Sequence, residues 1–434
     1  MKNEHNSRFY LFKKRGHCFV FNCLTCAQQI VESELYDKYL QETSGKSSPL
    51  IHAAFDELTH CIQSESQQKI EPVRPPVKPN ISHISIFITD KCNLECSYCY
   101  VSKSKIEISS SFVLDLIEFL NCLKTPVISL NFTGGEPLIY SEVIKEVVEN
   151  CQDKVTGKQF VFSLNTNATL VDDSLAKYFA RNHFLIMVGM DGEINFDISK
   201  YNKCCKNNYE KILAGVKAFR NAGINPAVRA TLTPSLKLVK LYNNLLECGF
   251  CQAFIGIPAL QTCHDRCATE QISIKEFQVI LSEYEEIFLE ELRRFRAGQP
   301  TLFIKATQYL RKRTDGAQNR YYSCGAMLNS ISISADGSIY PCHRFVGQKN
   351  FIIGKINDRL YIEQIEFLLK QYDSVITECG FCWARNICGR GCFWESADNT
   401  GFQQKRPNSC EIRRSAIETI IFMKEQITKA HANL

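Results

Sequence analysis

No stretch of this sequence approaches the roughly 18 uninterrupted apolar residues of a membrane-spanning helix. The amino-terminal segment MKNEHNSRFYLFKKRGHCFV also lacks the apolar run, roughly 7–15 residues long, of a secretory signal. The expectation is a soluble, cytoplasmic protein with no membrane partner. One-sided charge is missing too: 51 Lys and Arg against 46 Asp and Glu leave a net charge of +5, too slight to call for nucleic acid. No low-complexity tract is present, and a composition 45% hydrophobic and 22% charged excludes a disordered or collagen-like chain. With 434 residues the chain can bury a sizeable core in two or three domains. Its 22 cysteines, about 5% of the chain, fall below the roughly 8–10% of short disulfide scaffolds. In a reducing compartment so many thiols mean metal, catalysis or plain burial.

The sharpest break in composition is EPVRPPVKPN, where Pro72, Pro75, Pro76 and Pro79 forbid helix and favour an extended spacer over residues 71–80. Before it, in residues 1–70, the strand-like runs RFYLF and HCFVF are joined by KKRG. Helix-like stretches follow from Gln28 to Leu40 and from Ile51 to Ile62, which predicts a small domain with an exposed sheet edge. From Ile81 to about Pro300 the apolar runs HISIFIT, VISLNF, FVFSLN, FLIMVG, AVRATLT and AFIGI alternate with amphipathic segments, the last a long helix near Ile274 to Arg296. Six strand-helix units predict one parallel, right-handed sheet, with ligand chemistry at the C-terminal ends of its strands. Beyond residue 300, ISISADGSIYPC reads as a hairpin around Asp336-Gly337. The stretch ECGFCWARNICGRGCFW then has too few aliphatic residues to hold itself together without a metal.

Directly after the first of the six strands, DKCNLECSYCY places Cys92, Cys96 and Cys99 on one tight loop. Three thiolates at this spacing reach three corners of one cubane cluster and leave its fourth iron open, the mark of a site that binds substrate or cofactor. The competing assignments are a zinc knuckle or buried thiols, and no fourth zinc ligand is evident nearby. After the second strand comes Thr133-Gly134-Gly135-Glu136-Pro137, where two glycines permit close backbone approach and Glu136 offers an acceptor for an ammonium.

These two segments together resemble the radical S-adenosylmethionine superfamily. In that family a [4Fe-4S] cluster holds S-adenosylmethionine through its open iron. Once reduced, it yields a 5′-deoxyadenosyl radical that removes a substrate hydrogen. The resemblance implies cluster ligation by Cys92, Cys96 and Cys99, with the aromatic Tyr98 before the third cysteine. It also implies cofactor contacts at Gly134, Gly135, Glu136 and Pro137. LNTNATL, which contains Asn167, resembles a further cofactor segment. VGMDG resembles another, in which Gly189 replaces the usual serine and puts one hydrogen bond in doubt. Arg229 resembles a fifth-strand arginine whose planar fork suits the cofactor carboxylate.

Cys324, Cys342, Cys379, Cys382, Cys388, Cys392 and Cys410 form an array that resembles the SPASM extension of radical enzymes. By that resemblance Cys379, Cys382, Cys388 and Cys410 ligate one auxiliary [4Fe-4S] cluster, and Cys324, Cys342 and Cys392 another. The chain would then carry three clusters in all. Members with a fully ligated first auxiliary cluster have a further cysteine just before the position of Cys324, where this sequence reads DGAQNRYYS. Either that cluster keeps an open iron or a distant residue completes it. Cys248-x2-Cys251 and Cys263-x3-Cys267 flank the sixth strand near its presumed active-site end and are read as core or as extra ligands. Cys18, Cys23, Cys26, Cys61, Cys122, Cys151, Cys204 and Cys205 are read as buried small hydrophobes.

The predicted fold class is therefore α/β: a partial (β/α)6 radical SAM barrel at 81–300, a winged-helix-like leader-binding domain at 1–70 and a cysteine-rich SPASM domain at 301–434. The family pairing implies a peptide or protein substrate. Sulfatase-maturing members generally carry an aspartate after the cysteine equivalent to Cys342, whereas here YPCHRFVG puts His343 there. That form looks more like maturases that build thioether or carbon-carbon crosslinks in ribosomal peptides. His343 is the candidate proton acceptor near neutral pH, or an orienter of a cluster ligand. The partners implied are a precursor peptide, added by its leader as a strand on the N-terminal sheet, and a reductant such as flavodoxin or ferredoxin. Sulfatase maturation and action on a small molecule are the alternatives.

Overall fold

A computed structural model describes residues 9–23, 26, 28–37, 78–96, 99–101, 108–191, 205–232, 237–256, 273–302, 321–398, 400–403 and 407–432. The predicted helix at Ile51–Ile62, most of the proline-rich spacer, Tyr98, Cys61, Cys204, Cys263 and Cys267 lie outside them.

Strands β4 (His83–Thr89), β5 (Val127–Gly134), β6 (Gln159–Thr166), β7 (Leu185–Gly189), β8 (Ala227–Thr231) and β9 (Ala253–Gly256) lie side by side in sequence order, every pair parallel. Their alternation decides the faces. Ile84, Ile86 and Ile88 of β4, Ile128, Leu130 and Phe132 of β5, and Ile186 and Val188 of β7 are buried. Ser85, Ser129, Asn131 and Arg229 occupy intervening positions, although Phe87 and Met187 are apolar there too. The crossovers are helices α1 (Phe112–Cys122), α2 (Ser141–Lys154), α3 (Asp173–Arg181), α4 (Cys205–Asn221) and α5 (Leu238–Glu247), followed after β9 by α6 (Ile274–Arg296). Local chemistry sets where they start. Asp172 accepts the Leu175 N–H at 2.7 Å, and Ser273 with Glu276 forms a reciprocal capping box. On α1, Val113, Leu116, Ile117 and Leu120 face the sheet. The exposed Cys122, at the end of that helix, departs from the predicted burial, whereas Cys18, Cys23, Cys26 and Cys151 are buried as expected.

The sheet does not stop at the sixth unit. Strand β10 (Ser330–Ser334) pairs parallel with β4, Ile331 against Ile84 and Ile333 against Ile86. Antiparallel β11 (Ser338–Tyr340) and β12 (Gly354–Lys355) follow, giving the order β12-β11-β10-β4-β5-β6-β7-β8-β9. The predicted hairpin at Asp336-Gly337 is present, with Gly337 at φ +79° as its turn demands. The cysteine-rich stretch that follows packs around α7 (Ile362–Val375), the one-turn α8 (Arg385–Cys388) and α9 (Pro407–Ala432).

At the N-terminus, β1 (Phe9–Lys14), β2 (His17–Asn22) and β3 (Gln28–Val31) make a separate antiparallel sheet. The predicted helix from Gln28 is corrected here. Gln28–Val31 pairs with Phe21–Cys18 as a strand, and among the described residues of this stretch helix covers 33–37. Pairing with β2 outweighs the helical pattern because it satisfies the backbone groups that face β2 and buries Val31 against Cys18 and Val20. Glu285 of α6 ties this sheet to the rest, accepting from Lys14 Nζ at 2.6 Å, Arg15 Nε at 2.8 Å and Thr419 Oγ1 at 2.9 Å. Among the described residues, no helix is long and apolar enough to cross a membrane.

Candidate active site and cysteine clusters

In a parallel sheet every loop that follows a strand emerges at the same end. The structure therefore gathers the loop of Cys92, Cys96 and Cys99 after β4, the Gly134–Pro137 turn ending β5, Asn167 after β6, Gly189 ending β7 and Arg229 within β8. The same rule corrects one expectation. Cys248 and Cys251 precede β9 and so sit at the opposite end. There Cys248 Sγ meets Tyr209 Oη at 3.6 Å, and Asn225 Nδ2 donates to Cys251 Sγ at 2.8 Å.

The glycines fit the close approach predicted for them, but what approaches is the protein's own cysteine loop. A Cβ on Gly134, at φ +147°, would lie 2.3 Å from the Thr89 carbonyl oxygen, and one on Gly135 would lie 2.2 Å from that of Lys91. The Gly135 and Glu136 N–H groups donate to these two carbonyls at 2.7 and 2.8 Å. The root of the loop is thus clamped to the end of β5.

Glu136 departs from its expected role. Its side chain is 0% exposed. One oxygen accepts from Thr166 Oγ1 at 2.7 Å and from the Leu138 N–H at 3.1 Å, and the other from the Asn167 N–H at 2.7 Å. Burial pushes the Glu136 carboxyl up, while these donors pull it down. With its oxygens engaged and shielded, Glu136 faces the β6 turn rather than an incoming ammonium. It locks Asn167 in place. Asn167 Nδ2 donates to Asn93 Oδ1 at 2.9 Å and lies 3.9 Å from Cys92 Sγ, and the Leu94 N–H reaches the same sulfur at 3.4 Å. N–H groups aimed at a thiol sulfur suit a thiolate bound to metal. Asp191 similarly stitches β7 to β8 by accepting the Thr231 N–H at 2.6 Å.

The C-terminal cysteines fall into two groups. Cys379, Cys382, Cys388 and Cys410 line one cavity, together with Arg385, Arg390, Arg413, Arg414 and Glu395. Arg413 clamps Glu395 through Nη2, at 2.7 Å to both carboxylate oxygens. The second group is Cys324, Cys342 and Cys392. Burial pushes the Cys342 thiol up to about 12, and the neighbouring Cys392 and Cys324 act in the same direction. Between Cys388 and Cys392 runs Gly389-Arg390-Gly391, all at positive φ. The Arg390 and Gly391 carbonyls accept from Tyr372 Oη at 2.9 and 3.2 Å, and Ser323 Oγ also donates to Gly391, which draws Cys324 toward Cys392. Among the described residues no three His, Cys, Asp or Glu side chains close on one point as ligands of a single ion do. A cubane asks for a wider arrangement, since each thiolate binds a different iron.

A contact that the sequence did not suggest joins the two regions. Tyr100, next to Cys99, packs against His343, next to Cys342, with ring centroids 5.7 Å apart, and the Arg344 guanidinium lies 5.4 Å from the Tyr100 centroid. Burial pushes His343 down to about 3, with the Arg344 and Arg229 charges adding to it. The lowering favours the neutral imidazole, the form that can accept a proton or orient a neighbour. Adjacency to a cysteine was the only signal in the sequence for Tyr100 and Arg344.

Residues 86–236 match the Radical SAM superfamily. A cysteine-type anaerobic sulfatase-maturating enzyme of Clostridium perfringens is 25% identical over 323 residues, 69% of this chain and 85% of that protein. An uncharacterized protein of Methanocaldococcus jannaschii is 26% identical over 282 residues, 64% of this chain and 90% of its own length. Among solved structures, native anSMEcpe with bound AdoMet and Cp18Cys peptide superposes with a TM-score of 0.66 at 21% identity, covering 82% of this chain and 100% of that one. Streptococcus suis SuiB bound to precursor peptide SuiA gives 0.54 at 12% identity, over 92% and 98%.

Proposed function

We propose that this chain, which carries a radical SAM domain, modifies a ribosomally made precursor peptide by forming a thioether or carbon-carbon crosslink. The observation that carries this reading is the packing of Tyr100 on His343 and Arg344, which sets the loop of the first three cysteines beside Cys342 of the C-terminal array. A peptide between them would meet both centres. In this reading Cys92, Cys96 and Cys99 hold the cluster that receives S-adenosylmethionine. Cys379, Cys382, Cys388 and Cys410 hold a second cluster, and Cys324, Cys342 and Cys392 a third. When bound, the first cluster and S-adenosylmethionine together supply a 5′-deoxyadenosyl radical able to remove a peptide hydrogen.

The residues of the chain bind and orient. Gly134 and Gly135 hold the cysteine loop against β5, Glu136 fixes Asn167 from behind, and Arg229 offers a planar fork to the cofactor carboxylate. His343, packed on Tyr100, is the assigned proton acceptor or the orienter of the Cys342 ligand. Residues 1–70 are assigned to leader recognition by strand addition, 81–300 to the radical core and 301–434 to the auxiliary clusters. Flavodoxin or ferredoxin is the assigned reductant.

Formylglycine formation in a sulfatase is the second reading, favoured by the likeness to sulfatase-maturating enzymes. His343, standing where those enzymes generally carry an aspartate, favours the first. The two separate in one experiment. Reconstituted enzyme, S-adenosylmethionine and reductant are supplied either with the precursor peptide encoded beside the gene or with a cysteine or serine sulfatase peptide, and the products are read by mass spectrometry. Loss of two hydrogens without a carbonyl, from the precursor alone, is the expected outcome. An aldehyde on the sulfatase peptide alone would transfer the assignment to the second reading.

A further inference from the structure

The four-cysteine cavity and the N-terminal sheet share one short piece of chain. Segment 382–388 brings two of the four cysteines, and between them Trp383, Ala384, Asn386 and Ile387 pack against the sheet while Arg385 lines the cavity. The Trp383 indole stacks on Tyr10 with ring centroids 3.8 Å apart and planes 4° from parallel, and it meets Phe21 nearly edge-on at 5.9 Å. Its buried N–H has no acceptor among the described residues, so the stack and not a hydrogen bond sets the ring. Asn386 Nδ2 donates to the Cys23 carbonyl at 2.8 Å. Ala384, Ile387, Cys382 and Cys388 join Phe12, Phe19, Phe21, Cys23 and Cys26 in one apolar cluster.

The fourth cysteine is tied to the same sheet through its helix. Cys410 lies in the first turn of α9, whose later residues Ile417, Ile421 and Phe422 pack beneath the sheet. Tyr10 Oη donates to Glu418 Oε1 at 2.6 Å, and Gln28 Nε2 donates to the Ile421 carbonyl at 3.1 Å. A four-residue helix such as α8 is far below the length at which helices stand alone. Its position, and with it that of Cys382 and Cys388, depends on what it leans against.

We propose that Tyr10 is a positioning residue for the four-cysteine cluster: its ring, stacked on Trp383, holds the segment that carries Cys382 and Cys388. The inference rests on the proposed ligation by Cys379, Cys382, Cys388 and Cys410.

The test uses the full chain, reconstituted without oxygen, with iron analysis and redox-titrated electron paramagnetic resonance. Tyr10→Phe keeps the stack and is expected to preserve both iron content and midpoint. Tyr10→Ala is expected to move the midpoint of one auxiliary signal or to lose about four irons per chain, with the S-adenosylmethionine-sensitive signal unchanged. Tyr10→Leu, which keeps buried bulk without a planar ring, gives the same readings if the alanine variant is insoluble. Unchanged midpoint and iron in both would overturn the inference. If Cys382→Ala also leaves the iron count at the wild-type value, the ligand assignment itself falls. If Cys382→Ala lowers the count while the Tyr10 variants change nothing, only the positioning role falls.

Discussion

Glu136 shows how a motif residue acts through another. Glu136→Gln leaves an amide N–H2 facing a donor that the carboxylate accepted, which costs about 1–3 kcal/mol at neutral pH and loosens Asn167 beside Cys92. Denaturant titration and S-adenosylmethionine affinity should both register it. The sign of the pH dependence follows from burial, which holds the Glu136 carboxyl above its ordinary range. The folded state then binds the proton more readily than the unfolded chain. The stability this contributes is fully present below the unfolded value of about 4.3 and is lost as pH rises through the folded value. Urea titrations across that window are expected to show this slope in the wild type and its absence in Glu136→Gln. Gly135→Ala is a second test, because its Cβ would sit 2.2 Å from the Lys91 carbonyl oxygen. The cysteine loop must move, and loss of the S-adenosylmethionine-sensitive cluster signal is the expected result.

At the scale of elements, the loop Cys388–Cys392 joins the two C-terminal cysteine groups. Gly389, at φ +62°, would place a Cβ 2.6 Å from Ser323 Cα. Gly389→Ala combines backbone strain of about 1–3 kcal/mol with a clash against the segment carrying Cys324. It is expected to lower iron content and thermal stability, both measurable on reconstituted protein. The strand-helix alternation of the core was legible in the sequence because period-two and period-3.6 patterns were both strong. Strand β3 was not legible. Its four residues, Gln28–Val31, carry too little pattern to betray the pairing with β2 that decides their state. Strand β10 was legible as half of a hairpin, but its parallel seat beside β4 was not, since nothing local encodes a partner some 250 residues away in sequence.

In the whole molecule, the N-terminal sheet, α6 and α9 meet at Glu285, which is 3% exposed and accepts from Lys14, Arg15 and Thr419. Glu285→Ala strands two cations that are only partly solvated. A loss of about 2 kcal/mol is expected, tempered because Lys14 and Arg15 retain some water. Limited proteolysis of the first forty residues, faster in the variant than in the wild type, would report the loosened sheet.

The sequence by itself determined the periodic core: that Cys92, Cys96 and Cys99 share one loop, which loops follow strands, and where hydrophobic faces lie. Those features are written in spacings of a few residues, set by bond geometry and helical or strand repeat. Only the tertiary structure decided which groups meet across the fold. It directed Glu136 to the β6 turn, lowered the His343 pKa by burial beside Tyr100, turned Cys248 and Cys251 to the far end of the sheet, and leaned Cys382 and Cys388 on Tyr10 and Cys23. Each of these outcomes depends on burial and on partners distant in sequence, and neither quantity exists until the chain has folded.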